Sequence, residues 1–388
     1  MQSRALSKDI LILLPVLLVG GTEIQTMSLV RALRSGGYNV SVCCYYEHDD
    51  SVISQIERSG TKVILLNLHR SGGISSLFLH LKRLIEDLEP HIVHVQYIAP
   101  GLIPIIAAKM AGVRKIFATV HQPGRPYGWR PKFLIRVSAQ LCDVFFCNSR
   151  SVEESWFQTS QIFDPNNIDK RRKHFTIYNG VDVDNIGKTV EEADSESLEE
   201  SLEIRGKKVV GTVGRLRREK GQSTLLEAMK IVIEKWPNTV LLVVGDGPDR
   251  PSLVEMANKF FVNGSVKWLG QKDHEEVFKL YSIMDVVVVP SLFEGFGLTA
   301  AEAMAAGLPV LGTRVDGLPE IIEDGVTGYL FPVGDSQRLA TALIDLLPNV
   351  KKRRTMGERG KQRIRELFST EHFVRSIISA YEHFSQYD

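Results

Sequence analysis

Residues 291–309 read SLFEGFGLTAAEAMAAGLP, with Glu294 and Glu302 eight positions apart on either side of a glycine-rich turn that runs into an alanine-rich stretch. The apolar run DVVVVPS ends at Ser291, and a helix is expected from about Gly297 or Thr299, which leaves EGFG as the loop between strand and helix. Backbone N–H groups in such a loop and first helical turn lack intrahelical partners and carry the positive end of the helix dipole, so they suit an anionic diphosphate. Gly295 and Gly297 let the backbone come close to a ligand. By helical rise, Glu294 and Glu302 stand within ~12 Å of each other. Carboxylates beside a phosphate are electrostatically awkward unless they accept hydrogen bonds from hydroxyls, and sugar and ribose hydroxyls are the obvious donors. Glu302 also fits a plainer role, because Thr299-Ala300-Ala301-Glu302 has the T-x-x-E spacing of a capping box. Glu294, in a loop between two aromatics, has no such ready structural duty.

These residues need a scaffold, and the chain has material for one. Its 388 residues suffice for about two to three average domains, and 44% hydrophobic content is that of an ordinary globular protein. A net charge of +1 gives no whole-molecule field for nucleic acid or a polyanion. The four cysteines, Cys43, Cys44, Cys142 and Cys147, lie in apolar runs without zinc or disulfide spacing and are expected as reduced core residues of a cytoplasmic protein. The run DILILLPVLLVGG, residues 9–21, follows Arg4 and Lys8 and imitates a secretory signal. It is too short to span a bilayer, lacks a small-x-small cleavage site, and is better taken as a buried parallel strand entering a helix.

Short apolar runs alternate with helix-period stretches along the whole chain: ILILL, YNVSVCCYY, TKVILLNL, HIVHVQY and RKIFATV, then KKVVGTVGRL, NTVLLVVGDG, VKWLG, DVVVVPS and LPVLGTRV. This is the βαβ pattern of a parallel sheet covered by helices. The pattern pauses in the acidic, Ser-rich segment 183–206, expected as a linker. The fold class is therefore α/β, with two doubly wound Rossmann-like domains, 1–182 and 207–368, facing a cleft. The last residues, 369–388, are expected as a helix after a break near Ser369-Thr370 that returns to the first domain. In such sheets ligands bind beyond the carboxyl ends of the strands. The glycine turns Gly20-Gly21, Gly214-Arg215, GDGP at 245–248 and EGFG at 294–297 all fall there and point to phosphate.

Taken together, EGFGLTAAE, GRLRREKG at 214–221, NGVD at 179–182, GDGP and the early GGTE resemble the retaining glycosyltransferases of family 4, which have the two-domain GT-B fold. The likeness spans Gly20 to about Val333. It implies that the first domain binds the acceptor and the second a nucleotide diphosphate sugar. It also implies that Arg215 and Lys220 grip the donor diphosphate, Arg by its bidentate fork and Lys by its compact charge. Glu294 would contact donor-sugar hydroxyls and Glu302 the ribose hydroxyls. The amides of Phe296, Gly297 and Leu298, with Gly214 nearby, would meet phosphates and sugar, and Gly20 and Gly21 would bring a loop up to the diphosphate. His121, in ATVHQPG, matches the family's histidine against the donor sugar. Plainer roles stand beside each of these: a solvated basic loop in which Arg217 and Arg218 rival Arg215, a simple strand-to-helix turn at Gly20, a structural histidine. The chain departs from the family pattern at Gln122, where an acid is common, and at Gln96, where a second histidine is frequent.

What the resemblance implies about chemistry is transfer to an acceptor hydroxyl with retained configuration, without metal or other cofactor, UDP being the first nucleotide to consider. The base pocket is expected near VKWLGQK at 266–272. Two enzymatic alternatives are a manganese transferase using Asp182 and Asp184 of a D-x-D, and a nucleotide-sugar epimerase or hydrolase on the same fold. A third is a nucleotide-sugar-binding protein without turnover. Residues 124–140 mix Arg125, Arg130, Lys132 and Arg136 with Tyr127, Trp129 and Phe133. Such a segment suits either a helix packed on the sheet with a solvated basic edge or peripheral contact with the inner face of a membrane and a lipid-linked acceptor.

Overall fold

The structure, a computed structural model, describes residues 9–18, 20–96, 101–169, 171–260 and 264–385. Arg4 and Lys8 lie outside them. The chain divides after Gly180 and after Ser369, so that the segment from Thr370 onward rejoins the first unit.

In unit one, strands β1 (Asp9–Leu14), β2 (Asn39–Cys44), β3 (Lys62–Leu65), β4 (Ile92–Gln96), β5 (Lys115–Val120), β6 (Val144–Cys147) and β7 (His174–Thr176) pair in the order β3-β2-β1-β4-β5-β6-β7. Every ladder is parallel. Between them run helices α1 (Gly21–Ser35), α2 (Asp50–Glu57), α3 (Gly73–Leu88), α4 (Leu102–Met110), α5 (Trp129–Leu141) and α6 (Arg150–Phe157). Burial on both faces explains why β1 is an unbroken apolar run. Ile10, Ile12 and Leu14 point into one core with Leu29 and Leu33 of α1, while Leu11 and Leu13 point into the other with Leu77, Leu81 and Ile85 of α3. Each such buried aliphatic side chain contributes ~1.5–3 kcal/mol.

Unit two begins with two helices, α7 (Val183–Glu192) and α8 (Ser195–Ser201). Then β8 (Lys208–Val213), α9 (Gln222–Lys235), β9 (Thr239–Val244), α10 (Arg250–Lys259), β10 (Val266–Gly270), α11 (His274–Tyr281), β11 (Val286–Val289) and α12 (Leu298–Ala305) follow. It continues with β12 (Val310–Thr313), α13 (Leu318–Ile321), β13 (Gly328–Phe331), α14 (Ser336–Leu346) and α15 (Val350–Leu367). Its sheet order is β10-β9-β8-β11-β12-β13, again all parallel. Leu241, Val243, Val286 and Val288 of the sheet pack on Leu225, Met229 and Val232 of α9 and on Leu339 and Leu343 of α14.

The segment 183–206, expected as a linker, is instead folded into unit two. Asp182 accepts from the amide of Asn185 and Asp194 from that of Ser197, so each acidic residue caps a helix start. Val183 and Ile186 are buried, and α7 lies against α11, α12 and α15. A narrow apolar stripe within an acidic surface is enough to dock a short helix. The final helix, α16 (Thr370–Ser385), packs on α1 and completes the first core of unit one with Phe373, Ile377, Ala380 and Tyr381.

In both sheets the strand order reverses beside the first strand, between β1 and β4 and between β8 and β11. Loops leaving the carboxyl ends of such neighbours run to opposite faces and open a crevice, the general ligand position of doubly wound sheets.

Candidate active site

Unit two gathers three loops at that end of its sheet. A Cβ on Gly245 would stand 2.0 Å from Gly214 O, and one on Gly247 2.3 Å from Leu216 O. The glycines of GDGP are thus required for packing against the loop that follows β8. Gly221 is left-handed at φ 66, and a Cβ there would stand 2.0 Å from Pro290 O. Leu292 N–H donates to Glu219 O at 2.8 Å, so the loops after β8 and β11 are tied together.

That tie carries Lys220 to Glu294. Lys220 Nζ donates to Glu294 Oε2 at 2.6 Å, and Ser291 Oγ donates to the same oxygen at 3.1 Å. The two charged side chains retain 32% and 15% exposure, which leaves them open to a ligand but shielded enough for the pairing to matter. Arg215, Arg217 and Arg218 are exposed on the same loop, the Arg215 carbonyl held by Gln222 Nε2 at 3.0 Å. Among the described residues, Lys220 is the cation of this loop that meets Glu294.

The EGFG loop is shaped for close backbone approach. Gly297 is the N-cap of α12 at φ 102, where a Cβ would stand 2.7 Å from Leu318 Cδ2. No side chain caps this helix, so its first amides point outward unclaimed by a cap. Phe296 is buried with its ring edge-on to Phe368 at 5.6 Å, so only its backbone is offered to a ligand. Thr299 lies inside α12 and not at its N-cap, which removes the capping-box role for Glu302. Glu302 is half-buried on α12, and burial pushes its carboxyl up to about 8. It lies near enough to Tyr281 for its charge to add to the burial that raises that phenol. A carboxyl desolvated in this way gains most from hydroxyl donors that restore its hydrogen bonds.

In unit one, His121 follows the end of β5. Its Nε2 meets Gln96 Oε1 at 2.8 Å, and because a carbonyl oxygen only accepts, Nε2 carries the proton. Nδ1 is then a bare acceptor, buried and without a partner among the described residues. Burial lowers the His121 pKa to about 4, so the ring is neutral at physiological pH. Gln96 Nε2 in turn meets His94 Nε2 at 3.0 Å, and His94 Nδ1 meets the Tyr381 hydroxyl of α16. Gln96, read from the sequence as a departure, therefore sets the tautomer of His121. Gln122 is exposed, its side chain taken by Tyr127 Oη at 2.7 Å. Gly20 is the N-cap of α1 and Gly21 its first residue, again without a capping side chain.

Residues 19–185 match the family described as Glycosyltransferase Family 4, and residues 194–363 the one described as Glycosyl transferases group 1. N-acetyl-alpha-D-glucosaminyl L-malate synthase of Bacillus anthracis is 33% identical over 304 residues, which are 76% of this chain and 74% of that protein. The chain is a family 4 glycosyltransferase. A capsular polysaccharide biosynthesis glycosyltransferase of Staphylococcus aureus, CapM, is 31% identical over 176 residues, 45% of this chain and 46% of that one. The GT-B fold is shared with the Anabaena protein HepE, solved in complex with UDP-glucose, at a TM-score of 0.81 and 20% identity over 96% of this chain and 99% of that one.

In this glycosyltransferase the D-x-D of the sequence serves the fold. Asp182 caps α7, and Asp184 pairs with Arg365 at 2.7 Å. Sequence reasoning missed Ser291 and Asp316 as partners of Glu294. Ser291 was visible as the last residue of DVVVVPS. Asp316, 22 residues downstream, carried no signal. No helix among the described residues of the enzyme is long and apolar enough to cross a membrane.

Proposed function

We propose that the enzyme is a retaining, metal-independent transferase that moves a sugar from UDP-sugar to an acceptor hydroxyl during polysaccharide or glycolipid synthesis, with unit two holding the donor and unit one serving the acceptor. The observation that carries this proposal is the Lys220–Glu294 pair at the switch point of unit two, beside the uncapped start of α12. In the reaction the bond from the anomeric carbon to the diphosphate oxygen breaks. Lys220, Arg215 and the amides of Gly297 and Leu298 take up the charge that develops on the leaving oxygen. The acceptor hydroxyl attacks from the same face, and its proton passes to the departing phosphate. Glu294, engaged with Lys220 and Ser291, is suited to orienting sugar hydroxyls rather than to acting as a free nucleophile or base. Glu302 accepts from the ribose hydroxyls, and the bare Nδ1 of His121 accepts from a sugar hydroxyl. The helix cap made by Asp182 and the ion pair made by Asp184 give both residues structural partners, which supports a reading without manganese.

The Anabaena complex makes UDP the first nucleotide to test. Thermal shift with 1 mM UDP, GDP, ADP and UDP-glucose is expected to raise Tm by at least about 2 °C for the two uridine ligands, since a ligand that binds only the native state stabilises it. A shift with GDP or ADP alone would reassign the base, and no shift with any of the four would remove the donor site.

The surface of α5 supports a lipid-linked acceptor. Trp129 is 73% exposed, Phe133 60% and Leu134 48%, on a helix that also carries Arg130, Lys132 and Arg136. Apolar side chains that enter the headgroup boundary beside cations that attract anionic lipid make a peripheral membrane contact. Co-sedimentation with phosphatidylglycerol vesicles is expected to fall about fivefold or more in W129A/F133A and in R130E/K132E. Undiminished sedimentation of both variants would dispose of the contact.

A further inference from the structure

Asp316 belongs to the turn between β12 and α13, is 5% exposed, and has a left-handed backbone at φ 44. That conformation costs a residue with a Cβ about 1–2 kcal/mol and is normally left to glycine. The following residue is a glycine for a different reason: a Cβ on Gly317 would stand 2.4 Å from Gly295 O and 2.8 Å from Phe296 O. The turn is therefore pressed directly onto the EGFG loop. From that position Asp316 Oδ2 accepts the amide of Glu294 at 3.1 Å, and Gly317 N–H donates to the carbonyl of Glu294 at 3.3 Å. Both peptide groups flanking the Glu294 Cα are thus held by one turn, and the side chain between them reaches Lys220 and Ser291.

We propose that Asp316 is a positioning residue for Glu294: its carboxylate fixes the backbone from which Glu294 meets the donor sugar. This rests on the role given to Glu294 above. A left-handed backbone is retained here with a side chain instead of glycine because the side chain supplies an acceptor that glycine lacks. Strain of this sort persists where the surrounding structure and a function require it.

Substitution separates the two properties. D316G removes the acceptor but suits the left-handed backbone better than Asp, so Tm is not expected to fall. D316N keeps an acceptor oxygen and tolerates that backbone nearly as well. With UDP-glucose, UDP-galactose or UDP-N-acetylglucosamine, whichever the parent consumes fastest, D316G is expected to lower kcat about 10-fold with donor KM within about twofold, and D316N to restore kcat to within about threefold. In an E294Q background D316G is expected to cost less than about twofold more, because residues that act as one unit are not additive. Amide exchange over residues 291–298 is expected to speed up in D316G and to recover in D316N. Unchanged exchange in D316G, a kcat within twofold of the parent, a D316N as impaired as D316G, or an undiminished loss in the E294Q background would each overturn the proposal. Normal turnover in E294Q would overturn the role of Glu294 and this proposal with it, whereas an impaired E294Q beside a normal D316G would overturn this proposal alone.

Discussion

E294Q is expected to turn over UDP-sugar about 100-fold more slowly than the parent while binding UDP at least as tightly. The two halves of this result have different origins. Turnover falls because the carboxylate proposed to orient sugar hydroxyls against the leaving group is replaced by a neutral amide with half its acceptor capacity. Affinity for UDP is preserved or raised because the same carboxylate engages Lys220 Nζ at 2.6 Å. A diphosphate must draw that ammonium group away from its partner, and the neutral variant removes the competitor. K220A is expected to lose a similar factor in turnover and, unlike E294Q, to weaken UDP by about 10-fold, since a charge-assisted contact to phosphate is gone. Steady-state turnover with calorimetric titration of UDP checks both. Near-normal turnover in the two variants would remove the site assignment, and weaker UDP binding by E294Q would show that the ion pair does not compete with the ligand.

The second large effect is expected at Glu302, where E302Q should stabilise the protein while impairing donor binding. The folded-state carboxyl is pushed up to about 8 by burial, against 4.5 for an ordinary glutamate. In the unfolded chain the proton leaves as pH rises through 4.5, but in the fold it is retained until about 8. The folded state therefore binds more protons across that interval, and stability declines as pH rises through it. Glutamine has no proton to lose. The Tm advantage of E302Q should be near zero at pH 4, grow between pH 5 and 8, and level off above 8, reaching at least about 3 °C. Under the proposed ribose contact, hydroxyls that donate to the carboxylate pull the equilibrium the other way, so parent affinity for UDP should rise from about pH 6 to 8. E302Q should lose that rise along with about 10-fold in affinity. A pH-independent Tm difference would refute the titration, and unchanged UDP affinity would refute the ribose contact.

Much of this site could be read from the sequence because its determinants are local. The strands β1–β5 and β8–β12 lie in largely apolar runs, and several glycines in the turns that follow, Gly221, Gly245, Gly247 and Gly297 among them, stand where a Cβ would collide with a neighbour. Two of the edge strands were harder: β7 spans only His174–Thr176, and β13, Gly328–Phe331, begins on a glycine. The helices α7 and α8 were hidden by their composition, although their capping aspartates, Asp182 and Asp194, stood in plain view ahead of them. Glu302 was legible as a carboxylate, but its desolvation was not, since that depends on what α11 and α12 bring around it. Gln96 looked like a defect until His94 and His121 were seen on either side of it. Asp316 lay beyond reach for a different reason: a left-handed aspartate has no signature, and its contact with Glu294 comes from the parallel pairing of β11 with β12.

The placement of α16 bears on how the polypeptide matures. Phe373, Ile377 and Tyr381 fill one face of the unit-one sheet, yet they leave the ribosome only after all of unit two. Unit two can close its core as soon as α15 emerges. Unit one must wait with an apolar surface uncovered, so during synthesis the amino-terminal half is the later of the two to finish folding.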